Sequence, residues 1–124
     1  MANSNPSLDG VFHALADPTR RAVLARLGQG PATVKELGQP FRMALPSFMK
    51  HLTVLEDSGL IATQKVGRVR TCRIKPRRLA AAEAWLVEQR TLWEERMDRM
   101  VRFVEEQHAT EQHALEQHEK EQTK

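Results

Sequence analysis

The hydrophobic positions of this chain change period several times. Val11, Phe12, Leu15 and Ala16 recur at helical spacing and predict a short first helix. In "ADPTRRAVLARLGQG", Val23, Leu24 and Leu27 give a second helix its inward face. Asp17 is placed to cap that helix, Pro18 suits its first position and Gly28 its far end. "TVKELGQPF" predicts a brief third helix, with Thr33 and Glu36 at capping-box spacing and Pro40 as the stop. Residues 45–58 predict a fourth: Pro46 fits its first turn, and Gly59 followed by Leu60 suits a left-handed cap.

In "IATQKVGRVRTCRI" the pattern shortens to two β-prone runs around Gly67-Arg68, which predicts a hairpin. From Arg78 to about Glu106 it is helical again. Leu79, Leu86, Trp93 and Met100 recur every seven residues, and Ala82, Trp85, Leu92, Met97, Phe103 and Val104 widen the stripe. A long helix with an apolar stripe at heptad spacing calls for a partner helix. The remainder repeats "EQH" in a polar, low-complexity segment, expected as a frayed helix or as disorder. The division expected is therefore a folded domain over 1–106 and a polar tail over 107–124.

This order of elements predicts a mainly α fold with a small β-hairpin: a winged helix-turn-helix. In that arrangement the fourth helix enters the major groove of double-stranded DNA, and the hairpin reaches phosphates or the groove edge alongside. At about 100° per residue, Leu45, Phe48, Leu52 and Leu55 fall on an inward face. Ser47, Lys50 and Thr53 fall on the outward face and are the expected base readers. Lys65, Arg68 and Arg70 on the hairpin are expected to hold the DNA backbone. His51 sits at the seam of the two faces and has two readings, a phosphate contact or a half-buried histidine bonded to a backbone carbonyl. Thr33, Lys35 and Arg42 are further phosphate candidates near the third helix, although Thr33 is equally explained as a cap.

Charge sharpens this picture. Through residue 80 there are thirteen Lys/Arg against five Asp/Glu, a net +8, and beyond it six against eleven, a net −5. A basic front half suggests a polyanionic partner. The N-terminus has neither a basic n-region nor an apolar h-region, no apolar run reaches the length of a membrane span, and Cys72 is the only cysteine. These features favour the cytoplasm. No glycine-rich phosphate loop, Ser-His-Asp order or metal-hydrolase motif is present, so no catalysis and no cofactor are expected.

"ALADPTRRAVLARL", "VKELGQPFRMALPSFMKHLTVLEDSGLI" and "KVGRVRTCRI", in this order and spacing, resemble the ArsR-type winged-helix transcriptional repressors from about Val11 to about Val104. The resemblance implies a homodimer joined by the first and last helices, with Phe12, Leu79, Trp85, Leu86, Leu92, Trp93, Met97 and Met100 at the interface. It implies binding to a near-palindromic operator, often the protein's own promoter, and release by an effector that this sequence does not identify. Metal-sensing members carry a cysteine pair in the third or fourth helix region, and "TVKELGQPFRMALPSFMKHL" has none. Others place Asp and His ligands along the last helix, where Asp98 here is followed by Met100. Neither metal site carries over. Met49 and Ala44 stand where family members commonly have serine, the latter a helix cap. "LADPTRR" with a tryptophan-bearing last helix resembles a metal-independent subgroup.

The sequence also admits other readings. One is a winged helix used as a protein-interaction module, against which stand four basic residues between Lys65 and Arg73. Another is a metal or thiol sensor acting through His108, His113 and His118 or through Cys72. The three histidines are five apart and so step about 140° on a helix, away from a shared face. Cys72 has the strand parity of Ile74, which turns it inward.

Overall fold

The computed structural model describes residues 6–122. The first five residues of the N-terminal stretch read for a signal peptide, and the last two of the polar tail, lie outside them. Among the described residues, five helices and three strands follow in the order α1 (Pro6–Leu15), α2 (Pro18–Leu27), β1 (Ala32–Thr33), α3 (Val34–Gly38), α4 (Leu45–Asp57), β2 (Ile61–Val66), β3 (Val69–Ile74) and α5 (Pro76–Gln122). The chain forms two compact units, divided within α5 between Ala84 and Trp85.

In the first unit, Val11 and Ala14 of α1, Val23, Leu24 and Leu27 of α2, Leu37 of α3, Phe48, Leu52 and Leu55 of α4, and Ile61 and Cys72 of the sheet share one core. The expected inward face of α2 is thus the buried one. Short polar contacts join the helices. Asp17 Oδ2 accepts from the Arg20 N–H at 3.0 Å and caps α2. The Arg20 side chain turns back and donates to the carbonyls of Ala14 (2.8 Å) and His13 (2.9 Å), while Arg21 donates to Leu15 (2.8 Å). The two arginines of "DPTRR" therefore satisfy the last carbonyls of α1 as Asp17 satisfies the first amides of α2. At α3, Thr33 Oγ1 accepts from the Glu36 N–H and donates to its carboxylate, both at 3.1 Å.

The hairpin expected from the sequence is present, and a third strand joins it. β1 pairs with β3 (Ala32↔Cys72, Thr33↔Thr71), which gives the sheet order β1-β3-β2. Cys72, in the central strand, is fully buried. α5 runs unbroken to Gln122, so the polar segment beyond residue 106 is helical. Gln117 and Gln122 there bond to His113 and His118, each one turn earlier. Among the described residues no helix is long and apolar enough to cross a membrane.

Candidate functional site

α4 is held at both ends. Ala44 offers no side-chain cap, but Pro46 has no N–H to satisfy, and the Phe48 N–H bonds Ala44 O at 3.1 Å. At the far end Gly59 takes φ 77°, Leu60 N–H donates to Leu55 O and Gly59 N–H to Glu56 O, both at 3.0 Å. This is the Schellman pair of bonds. Arg78 of α5 adds a bond to Ser58 O at 3.0 Å. Phe48, Leu52 and Leu55 fix the helix to the core, and Phe48 stacks on Phe41 with ring centres 5.7 Å apart.

Leu45 departs from the expected inward face. It is 64% exposed, because its place at the first residue of α4 carries it beyond the core edge. The solvent side of α4 holds Ser47, Lys50 and Thr53, all exposed. The Thr53 hydroxyl donates to Met49 O at 3.0 Å, within its own helix, which leaves that oxygen as an acceptor toward any ligand.

His51 lies on the flank that faces α2. Its Nδ1 is 3.2 Å from Arg20 Nη1 and 3.7 Å from Asp17 Oδ2. Its partners are thus side chains of the α1–α2 corner, not the backbone carbonyl of one expectation. Arg20 can only donate, so this bond forms when Nδ1 is the accepting nitrogen, whereas an Nδ1 that carries a proton faces the Asp17 carboxylate instead. The Arg20 amide holds the Asp17 carboxyl below its ordinary value; partial burial opposes this, and the charges of His51 and Arg20 support it. The corner therefore joins α1, α2 and α4 through one guanidinium. Sequence reading found Asp17 and Pro18 but not Arg20, since no periodicity marks a contact 31 residues apart.

On the other flank stands the wing. Lys65 pairs directly with Arg70 across β2 and β3, and Val66 with Val69, while Gly67 and Arg68 form the turn. Gly67 has φ 63°, the conformation a II′ turn requires at its first central residue. Lys65, Arg68 and Arg70 are all exposed. Like charges directly opposite on a ladder repel, and an anion set between them removes that cost. Thr63 donates to Glu56 at 3.1 Å and ties the base of the wing to α4.

Between the first turns of α4, the start of α3 and the wing lies an open cleft of about 740 Å³. Lys35, Lys65, Arg68 and Arg70 rim it, Val34, Leu45, Met49 and Val69 line it, and none of its nine lining residues is acidic. Of the arginines in the basic front half, Arg20, Arg21, Arg26 and Arg78 bond carbonyls within the fold. Lys35, Lys65, Arg68 and Arg70 around the cleft are all exposed and present their charge to solvent.

The stripe residues divide. Phe12 and Leu79 are half-buried and pack against the core of their own chain. Trp85, Leu86, Leu92, Trp93, Met97 and Met100 are exposed along α5. Burial raises the Cys72 thiol above its ordinary value, with Glu56 adding to the rise and Arg70 opposing it. A protonated, fully buried thiol is a poor sensor.

Residues 15–64 match a family model described as a helix-turn-helix domain. The chain is 65% identical to an ArsR family transcriptional regulator of known crystal structure, with a TM-score of 0.71, over 76% of this chain and 97% of that one. It is 39% identical over 75 residues to the HTH-type transcriptional regulator Rv2034 of Mycobacterium tuberculosis, covering 60% of this chain and 70% of that protein. It is 33% identical over 61 residues to the transcriptional repressor SdpR of Bacillus subtilis, covering 49% of this chain and 68% of the relative. The fold is shared with a domain from Mycobacterium bovis described as a homodimeric winged helix-turn-helix, at 24% identity and a TM-score of 0.55, over 74% of this chain and 94% of that one.

Proposed function

This chain belongs to the ArsR family of winged helix-turn-helix transcriptional regulators, and from that premise we propose that it is a homodimeric repressor of its own promoter. The observation that carries the proposal is the outward face of the first unit. Exposed Ser47, Lys50 and Thr53 lie on α4, beside an acid-free cleft and a wing with three exposed cations. α4 enters the major groove with its N-terminal half toward base edges. Lys50 bonds guanine, Ser47 donates or accepts, and Thr53 accepts from a base amino group. Lys65, Arg68, Arg70 and the Nε2–H of His51 hold phosphates.

Two copies associate through the exposed stripe of α5, Trp85 to Met100, together with Phe12 and Leu79 near α1 and the start of α5. The exposed apolar side chains of α5 support this reading, since a patch of this kind in a water-exposed helix calls for a partner. A two-fold dimer presents two α4 helices and so reads a near-palindrome. The work is binding rather than catalysis.

Footprinting on the DNA upstream of its own reading frame tests the proposal. Two protected half-sites are expected, their centres about one helical turn or a multiple apart. In a purified transcription reaction the same protein should lower output from that promoter. A single protected half-site, or protection without loss of transcript, contradicts the dimeric repressor.

A further inference from the structure

We infer that Leu45, flanked by Met49, reads the C5-methyl group of thymine in the major groove. The inference rests on the reading of α4 as the recognition helix and extends it to residues outside the polar trio.

Leu45 is the first residue of α4 and stays 64% exposed, although the helical pattern assigns it to the core. One exposed leucine is ordinary. This one is not isolated: Met49, one turn on, and Val69 of the wing line the same cleft. The cleft therefore has two chemistries. Its rim of Lys35, Lys65, Arg68 and Arg70, with no carboxylate, suits the phosphates of a DNA strand. Its lining suits something apolar lying beside those phosphates. On the major-groove edges of the four bases that description fits the thymine methyl group.

The position along the helix agrees. The N-terminal residues of a recognition helix are those that approach base edges, and Leu45 stands at that end. Leu45 and Met49 are four residues apart, about 6 Å along the axis. Base pairs succeed one another at about 3.4 Å. The two side chains thus span one to two base steps, with Leu45 as the exposed anchor and the half-buried Met49 as its support. Lys50 and Ser47, further round the helix, supply the polar readout.

The test uses deoxyuridine, which differs from thymidine in that one methyl group. Duplexes enriched by the full-length protein from a randomised pool are resynthesised with each thymine in turn replaced by deoxyuridine. Fluorescence anisotropy is then read for wild type and for Leu45→Ala, an exposed position where folding is unaffected. A second variant, Leu45→Gln, keeps the length and removes the apolar surface. At one thymine per half-site, loss of the methyl should weaken wild-type binding about fourfold, the worth of one buried methylene. Leu45→Ala should bind the two duplexes alike. Leu45→Gln should turn preference toward adenine at that position. Enrichment with no methyl effect, or an equal effect in wild type and Leu45→Ala, overturns the inference and leaves the cleft to another occupant, such as a small apolar anion. A pool that yields no enriched sequence overturns the base-reading account of α4 and this inference with it.

Discussion

Lys50 and Arg68 are both exposed cations, but they face different parts of a duplex. Lys50 stands on the outward face of α4 and Arg68 in the wing turn. Lys50→Ala should therefore flatten the preference for operator over scrambled DNA by about 1–3 kcal/mol per affected base pair. Arg68→Ala should weaken all sequences alike and lower the salt slope by about one unit per protomer. Salt-dependent anisotropy on both duplexes separates the two outcomes; intact operator preference in Lys50→Ala would remove it from the base readers. Asp17 carries a different prediction. Its carboxyl is held below its ordinary value in the fold, so its contribution is complete above the ordinary carboxylate range and disappears as pH falls through the lowered value. Thermal melts from pH 7 to pH 3 should show this acid-side loss in wild type and a smaller one in Asp17→Asn. Most of these side chains were legible in the sequence, because a helical wheel assigns faces. Leu45 was not, because a wheel has no axial coordinate and cannot show that the core ends before the helix does. Arg20 was not, because its three bonds join segments that no local pattern relates.

The elements were legible where punctuation is local. Asp17-Pro18, Thr33-Glu36 and Gly59-Leu60 each set a boundary through a bond that the structure contains. β1 has two residues, too few to alternate, and is a strand only through its register with β3. The helix beyond residue 106 follows from Glu, Gln, Ala and Lys, which are strong helix formers even without a buried face. Two substitutions test how α4 is held. Ala44→Ser should supply the missing cap and raise stability by about 0.5–2 kcal/mol, seen as a higher denaturation midpoint. Gly59→Ala should destabilise by more than about 1 kcal/mol. It places a side chain at φ 77°, with its Cβ 2.7 Å from the Arg78 side chain. An unchanged midpoint in Gly59→Ala would mean that the α4–β2 turn is not fixed by this cap.

At the scale of the whole molecule the account needs two copies. Trp93 is 69% exposed in one chain, at the centre of the apolar stripe of α5. Trp93→Ala should weaken self-association by at least 2 kcal/mol, about thirtyfold, as buried tryptophan anchors at interfaces do. Sedimentation velocity would show the shift to monomer, and two-half-site DNA should bind correspondingly less tightly. An unchanged sedimentation coefficient would place the interface elsewhere. The central claim, that this protein reads its own upstream DNA, is tested most directly by fluorescence anisotropy on that DNA and on a scrambled duplex, at low and near-physiological salt. The account predicts tight binding to the upstream duplex that survives the rise in salt while the scrambled duplex is released. Equal, weak binding to both, collapsing together as salt increases, would contradict it and reduce the basic face to nonspecific charge attraction.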